Sequence, residues 1–136
     1  MADLSITAAQ VLRVSGGVSV IQAGEAITAG QVLYRKADSK AWKAISSSAA
    51  AAEAIGIALC DAAADQQVAY APTGAVVNLG AGAAPGKGEV YSVSDTAGGL
   101  QPDADIGAAE YLTQVCRAIG TNQVRITILV DGEQHA

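Results

Sequence analysis

The side chains that could do chemistry are one histidine, two cysteines and thirteen carboxylates. His135 stands beside the C-terminus, in Asp131-Gly132-Glu133-Gln134-His135-Ala136. A serine or cysteine nucleophile needs an imidazole held at hydrogen-bond distance, and a terminal tail does not hold one. Cys60 follows Ile57-Ala58-Leu59, and Cys116 follows Leu112-Thr113-Gln114-Val115. Neither belongs to a C-x-x-C pair, and no second histidine completes a zinc set. Both read as buried free thiols. The densest carboxylates are Asp103 and Asp105, with Glu110 nearby. The calcium-loop spacing D-x-[DN]-x-[DN]-G-x₅-E is not met, so they read as a solvated loop.

A glycine-rich stretch, Gly80-Ala81-Gly82-Ala83-Ala84-Pro85-Gly86-Lys87-Gly88, resembles a phosphate loop at first sight. It lacks the G-x-x-x-x-G-K-[ST] spacing and leads into a strand pattern, so no helix N-terminus would face a phosphate. The expectation is therefore no catalytic residue, no metal and no cofactor: not an enzyme. Net charge is −5 and the pI is about 4.6. An acidic chain is repelled by phosphate, which argues against nucleic acid as a partner. Arg35, Lys36, Lys40 and Lys43 read as a solvated strand and turn. No apolar run of about 18 residues predicts a membrane span. The start, Met1-Ala2-Asp3-Leu4-Ser5, lacks the charged and apolar regions of a signal peptide, so synthesis in a cytoplasm is expected.

What must position these residues is a core of Val, Ile, Leu and Ala, because the chain has no Phe and one Trp. Burial at about 25 cal/mol per Å² yields little per alanine, and partner burial is one way to make up the difference. An internal repeat organises the chain. At an offset of 58, Gly24 falls on Gly82, Ala26 on Ala84, Gly30 on Gly88, Val32 on Val90 and Trp42 on Leu100. Ala54-Ile55-Gly56 matches Ala118-Ile119-Gly120 at an offset of 64, which puts the extra residues around 103–108. The units span about 23–60 and 81–120.

Each unit reads as a glycine-ended loop, a strand, a polar turn and a second strand. The strands expected are 31–36 and 89–94, 41–45 and 100–102, then 55–60 and 112–119. Further strands are expected within 5–14, at 67–71 and 75–79 around Pro72-Thr73-Gly74, and at 124–130. Residues 46–54 could form a loop or one helical turn, since a short alanine run is a marginal helix. Together these predict a mainly β fold over residues 1–136: a compact β-sandwich or barrel-like domain of two related units, with at most short helices.

The order Ala23-Gly24-Glu25-Ala26-Ile27-Thr28-Ala29-Gly30-Gln31-Val32-Leu33-Tyr34, Trp42-Lys43-Ala44 and Ala54-Ile55-Gly56-Ile57-Ala58-Leu59 resembles the capsid decoration (cement) proteins of tailed bacteriophages. Gly74 to Gly80, Gly88 to Ser94, Ala97 to Leu100, Ala118-Ile119-Gly120 and the opening Ala2 to Ala9 continue the likeness. It implies a structural virion protein on the outside of a phage head, holding the major capsid protein lattice. Members of such families commonly sit as trimers, sometimes as dimers or monomers, so the resemblance implies self-assembly, first as a homotrimer and second as a dimer. The candidate contacts are an N-terminal arm within residues 1–14, with Leu4, Ile6 and Val11, and Trp42. The arm could equally be an edge strand of its own domain, and Trp42, matched to Leu100, a core residue. The alternative function is a fibre adhesion module binding host glycans, which would need an exposed aromatic cluster.

Overall fold

The computed structural model describes residues 4, 6, 10–80, 88–102, 110–120 and 122–134, the last four by backbone alone. The strands are β1 Leu12–Ser15, β2 Ser19–Gln22, β3 Val32–Arg35, β4 Ala41–Lys43, β5 Ala54–Ala58 and β6 Gln67–Ala71. They continue as β7 Val76–Asn78, β8 Val90–Val93, β9 Leu100–Pro102, β10 Tyr111–Gly120 and β11 Gln123–Gln134. All ladders between them are antiparallel. They form a six-stranded sheet, β1-β7-β11-β10-β8-β9, and a five-stranded sheet, β2-β6-β5-β3-β4. Neither closes into a barrel. The expected β-sandwich of two related units is the fold.

The repeat is carried by topology. The order β2-β6-β5-β3-β4 recurs in the other sheet as β7-β11-β10-β8-β9, so each sheet is one unit, and β1 is an added strand. The local detail recurs too. Gly30 and Gly88 both have positive φ, 92° and 85°. The Gly30 N–H donates to Ala58 O and the Gly88 N–H to Ala118 O, each at 2.8 Å. The same backbone conformation at both positions explains why glycine opens both strands.

The ladders correct the sequence alignment. Leu33 opposes Gly56, and its counterpart Tyr91 opposes Cys116. Gly56 therefore matches Cys116, not Gly120. Both strands also skip one residue there, Ile55 in β5 and Val115 in β10. Ala41 opposes Arg35, and Leu100 opposes Val93, so Leu100 matches Ala41 and Gln101 matches Trp42. The physical reason is turn length. The β8–β9 turn is one residue longer than the β3–β4 turn, and the stretch from Gln101 to Gln114 holds one residue more than the matching stretch from Trp42 to Ala54. The insertion is thus split between the β8–β9 turn and the stretch 101–114.

Strand β2 was not anticipated; within 5–14, where residues 5 and 7–9 lie outside the described residues, β1 spans Leu12–Ser15. Residues 46–53 form turns: Ala52 N–H donates to Ser48 O at 2.9 Å, one helical turn and no more.

The two sheets use opposite faces of the same unit. In the five-stranded sheet, Val32, Tyr34, Ile57 and Ala71 point into the main core between the sheets. Leu33, Ala41, Ala58 and Tyr70 point the other way, into a second cluster with Ile21, Ala23, Ile27, Ala62 and Val68. In the six-stranded sheet, the matches of that second set, Tyr91, Leu100, Ala118 and Val124, fill the main core. The matches of Ile57 and Ala71 are Arg117 and Arg125, both exposed. A residue type thus follows which side its unit buries. The β5–β6 loop accounts for the asymmetry. Ala62 exchanges two backbone hydrogen bonds with Ile27, at 2.8 and 2.9 Å, and closes the outer face of the five-stranded sheet. The β10–β11 connection is only two residues long, so it leaves the matching face open to the core.

Candidate interaction surface

Burial has settled the chemistry of the thiols. Cys60 and Cys116 are both free; Cys60 lies in the β5–β6 loop and Cys116 in β10. Cys60 is half-buried, and its Sγ accepts the Ala69 N–H at 3.4 Å. Cys116 is fully buried, and loss of solvation pushes its thiol up to about 12. A raised folded value means that the native state holds the proton more tightly. The stabilisation is therefore present below the unfolded thiol's value of 9.0 and is lost as pH climbs toward about 12. Urea unfolding between those values is expected to show falling stability in the native chain and a flatter profile in Cys116→Val. Equal slopes would remove burial of Cys116 as the cause.

Among the described residues, no group of three His, Cys, Asp or Glu side chains could hold a metal. His135, Asp103, Asp105 and the segment 81–87 lie outside the described residues. Glu110 is instead part of a polar seam. Ser46 Oγ donates to Glu110 Oε1 at 2.5 Å, and Gln101 Nε2 donates to the same oxygen at 2.9 Å. Gln101 Nε2 also reaches Val93 O at 3.1 Å. The Ser46 backbone joins both units: its N–H donates to Ser94 O at 2.9 Å, and its O accepts the Tyr111 N–H at 2.7 Å. This arrangement ties the β4–β5 loop to the six-stranded sheet.

The sequence-predicted contacts occupy different environments. Val11 is in the main core at 6% exposure. Leu4 and Ile6 are half-buried against that core, and the Leu4 N–H donates to Leu100 O at 2.9 Å. They line a cleft of about 220 Å³ with Gly30, Gly98 and Leu100. Trp42 is half-buried. Lys36 Nζ sits 3.7 Å over its ring, its Nε1 donates to Asp38 Oδ2 at 3.3 Å, and Gly24 packs against it. Trp42 is not brought together with the N-terminal residues.

Among the described residues, the exposed large apolar side chains are others: Leu12 at 65%, Val14, Val18, Val20 at 57%, Leu129 at 62% and Val130. Leu12 and Val14 belong to β1, Val18 and Val20 to β2 and its approach, Leu129 and Val130 to β11. β1 and β2 are the outermost strands of their sheets. The Pro72–Gly74 turn touches both the β1–β2 connection and β11. The Gly17 backbone approaches the Pro72 ring, and Thr73 Oγ1 accepts the Ile128 N–H at 3.3 Å. One signal for this surface was legible: Val18 and Val20 flank Ser19 just after Gly16-Gly17, an apolar alternation. On the outer face of the six-stranded sheet Arg117 stands directly opposite Arg125.

This arrangement can hold another protein surface by apolar contact and strand pairing. The chain matches no protein-family model, no curated protein and no solved structure.

Proposed function

We propose that this chain is a structural virion protein that binds the exterior of a phage head and stabilises its major capsid protein lattice. The observation carrying this reading is that β1, β2 with its approach, and β11 carry large apolar side chains exposed to solvent. Exposed apolar area is costly in water, and a protein partner removes that cost. The sequence resemblance supplies the kind of partner. Synthesis in the bacterial cytoplasm followed by attachment to the head fits a chain with no membrane-spanning helix among its described residues.

The glycan-binding alternative draws no support from the aromatic residues. Tyr34, Tyr70 and Tyr91 are buried, and Lys36 covers the Trp42 ring. The test is co-sedimentation with expanded heads of the phage that encodes the chain. The chain is expected to pellet at fixed stoichiometry and to raise the temperature at which the heads disrupt. Leu12→Asp combined with Leu129→Asp is expected to abolish both effects in a folded chain. Failure of the native chain to pellet with those heads overturns the reading.

A further inference from the structure

Across the outer face of the six-stranded sheet runs a row of opposed residues: Val76 of β7, Arg125 of β11, Arg117 of β10 and Val90 of β8. Both arginines are exposed. Side chains directly opposite on a ladder have Cβ atoms about 5 Å apart, and like charges so placed destabilise it. The other sheet does without them, since its matched positions hold Ile57 and Ala71. Nothing in the chain offsets the repulsion. Arg117 Nε reaches only Gly88 O, at 3.4 Å, and neither arginine has a carboxylate partner among the described residues. Lys40 and Lys43 differ: they meet Asp65 at 2.7 Å and Glu25 at 3.8 Å.

Two positions along the strands, side chains return to the same face. There Leu12 of β1, Asn78 of β7 and Gln123 of β11 stand in register, and Leu12 is 65% exposed. No aspartate or glutamate stands in either row. In a chain of net charge −5, this face is locally positive, with an apolar side chain beside its two cations.

We infer that the outer face of the six-stranded sheet docks on an acidic segment of another protein, whose carboxylates take the forks of Arg117 and Arg125 while its apolar side chains cover Leu12. A guanidinium presents paired donors that match the two oxygens of a carboxylate. A carboxylate set between the two arginines turns one repulsion into two attractions. Nucleic acid fits less well, because its dense phosphates repel the acidic remainder of the chain. That the segment belongs to the phage head rests on the head-binding reading above; that this face takes carboxylates does not.

Nuclear magnetic resonance titration of the native chain with a hexaglutamate peptide is the direct test. The Arg117 and Arg125 Nε–H signals are expected to shift together and saturate, and added salt to reverse the shift. A hexaglutamine peptide is expected to leave them in place. Arg117→Gln combined with Arg125→Gln is expected to abolish the accompanying shifts of the Val76 and Val90 amides. It is also expected to unfold at a midpoint no lower than the native chain, since the like charges have gone. With expanded heads, the double variant is expected to bind about tenfold more weakly, and native binding to weaken as salt rises. Arginine signals that hexaglutamate leaves unmoved overturn the inference whether or not heads bind. A double variant that binds heads as tightly as the native chain overturns it too. So does a stronger response to a DNA duplex than to hexaglutamate, or self-association that the double variant abolishes, because either assigns the face to a different occupant. A native chain that takes hexaglutamate at these arginines but ignores the heads leaves this inference standing and removes the head-binding reading.

Discussion

Gly56→Ala is expected to lower the unfolding free energy by about 3 kcal/mol, the upper range for forcing atoms into a packed interior. A Cβ built on Gly56 would lie 2.2 Å from Ala71 O and 2.7 Å from Tyr70 Cδ2. The first of these is backbone, and it cannot swing aside. β5 sits between β3 and β6, so moving it would disturb two ladders at once. Gly120→Ala is the matched control, because a Cβ there meets nothing within 4 Å. Chemical denaturation should show a lower midpoint with an unchanged slope for Gly56→Ala, and a near-native midpoint for Gly120→Ala. If the two midpoints agree, close backbone approach is not what demands glycine at 56. The other unit supplies a natural comparison: the matched position holds Cys116, whose side chain fills the main core opposite Ile126.

Glu110→Ala is expected to cost about 2–4 kcal/mol, because it strands two buried donors that together lose their shared acceptor. Those donors are Ser46 Oγ and Gln101 Nε2, on residues 0% and 5% exposed. Glu110→Gln keeps an acceptor oxygen in place and should retain most of the stability. The double variant Ser46→Ala with Glu110→Ala should be less destabilised than the sum of its parts, since removing the donor removes the penalty. A Glu110→Ala variant as stable as the native chain would show that the seam contributes nothing. The loss should also appear as faster exchange of the Tyr111 amide, whose acceptor is Ser46 O.

Strand existence was legible in the sequence because apolar alternation and glycine punctuation are local signals. The Gln67–Ala71 and Leu100–Pro102 strands fall where the pattern put them. The repeat was legible for the same reason, since Gly30 and Gly88 answer to one backbone conformation. The pairing was not. A constant offset put Trp42 on Leu100, whereas turns of unequal length slide it to Gln101. Turn length is nearly silent in composition, and it decides register. Surface was read least well. Val11 was expected at a contact and lies in the core, while Leu12 beside it is exposed. Which side of a strand faces water depends on what the other sheet covers, and no single segment encodes that.

The use of opposite faces by the two sheets places the chain among arrays rather than symmetric pairs. One unit lays its front on the back of the other, and a front-to-back contact does not close on itself. Such a stack has no inherent end and must be terminated by its sequence. Here each end has its own stop. The Ile27 and Ala62 loops lid the last front, and the facing pair Arg117 and Arg125 charges the last back, where the inner unit keeps Ile57 and Ala71. Like charges opposite one another weaken a ladder slightly. Covering that face with a further unit would bury two charged guanidinium groups, which is costly unless they are paired.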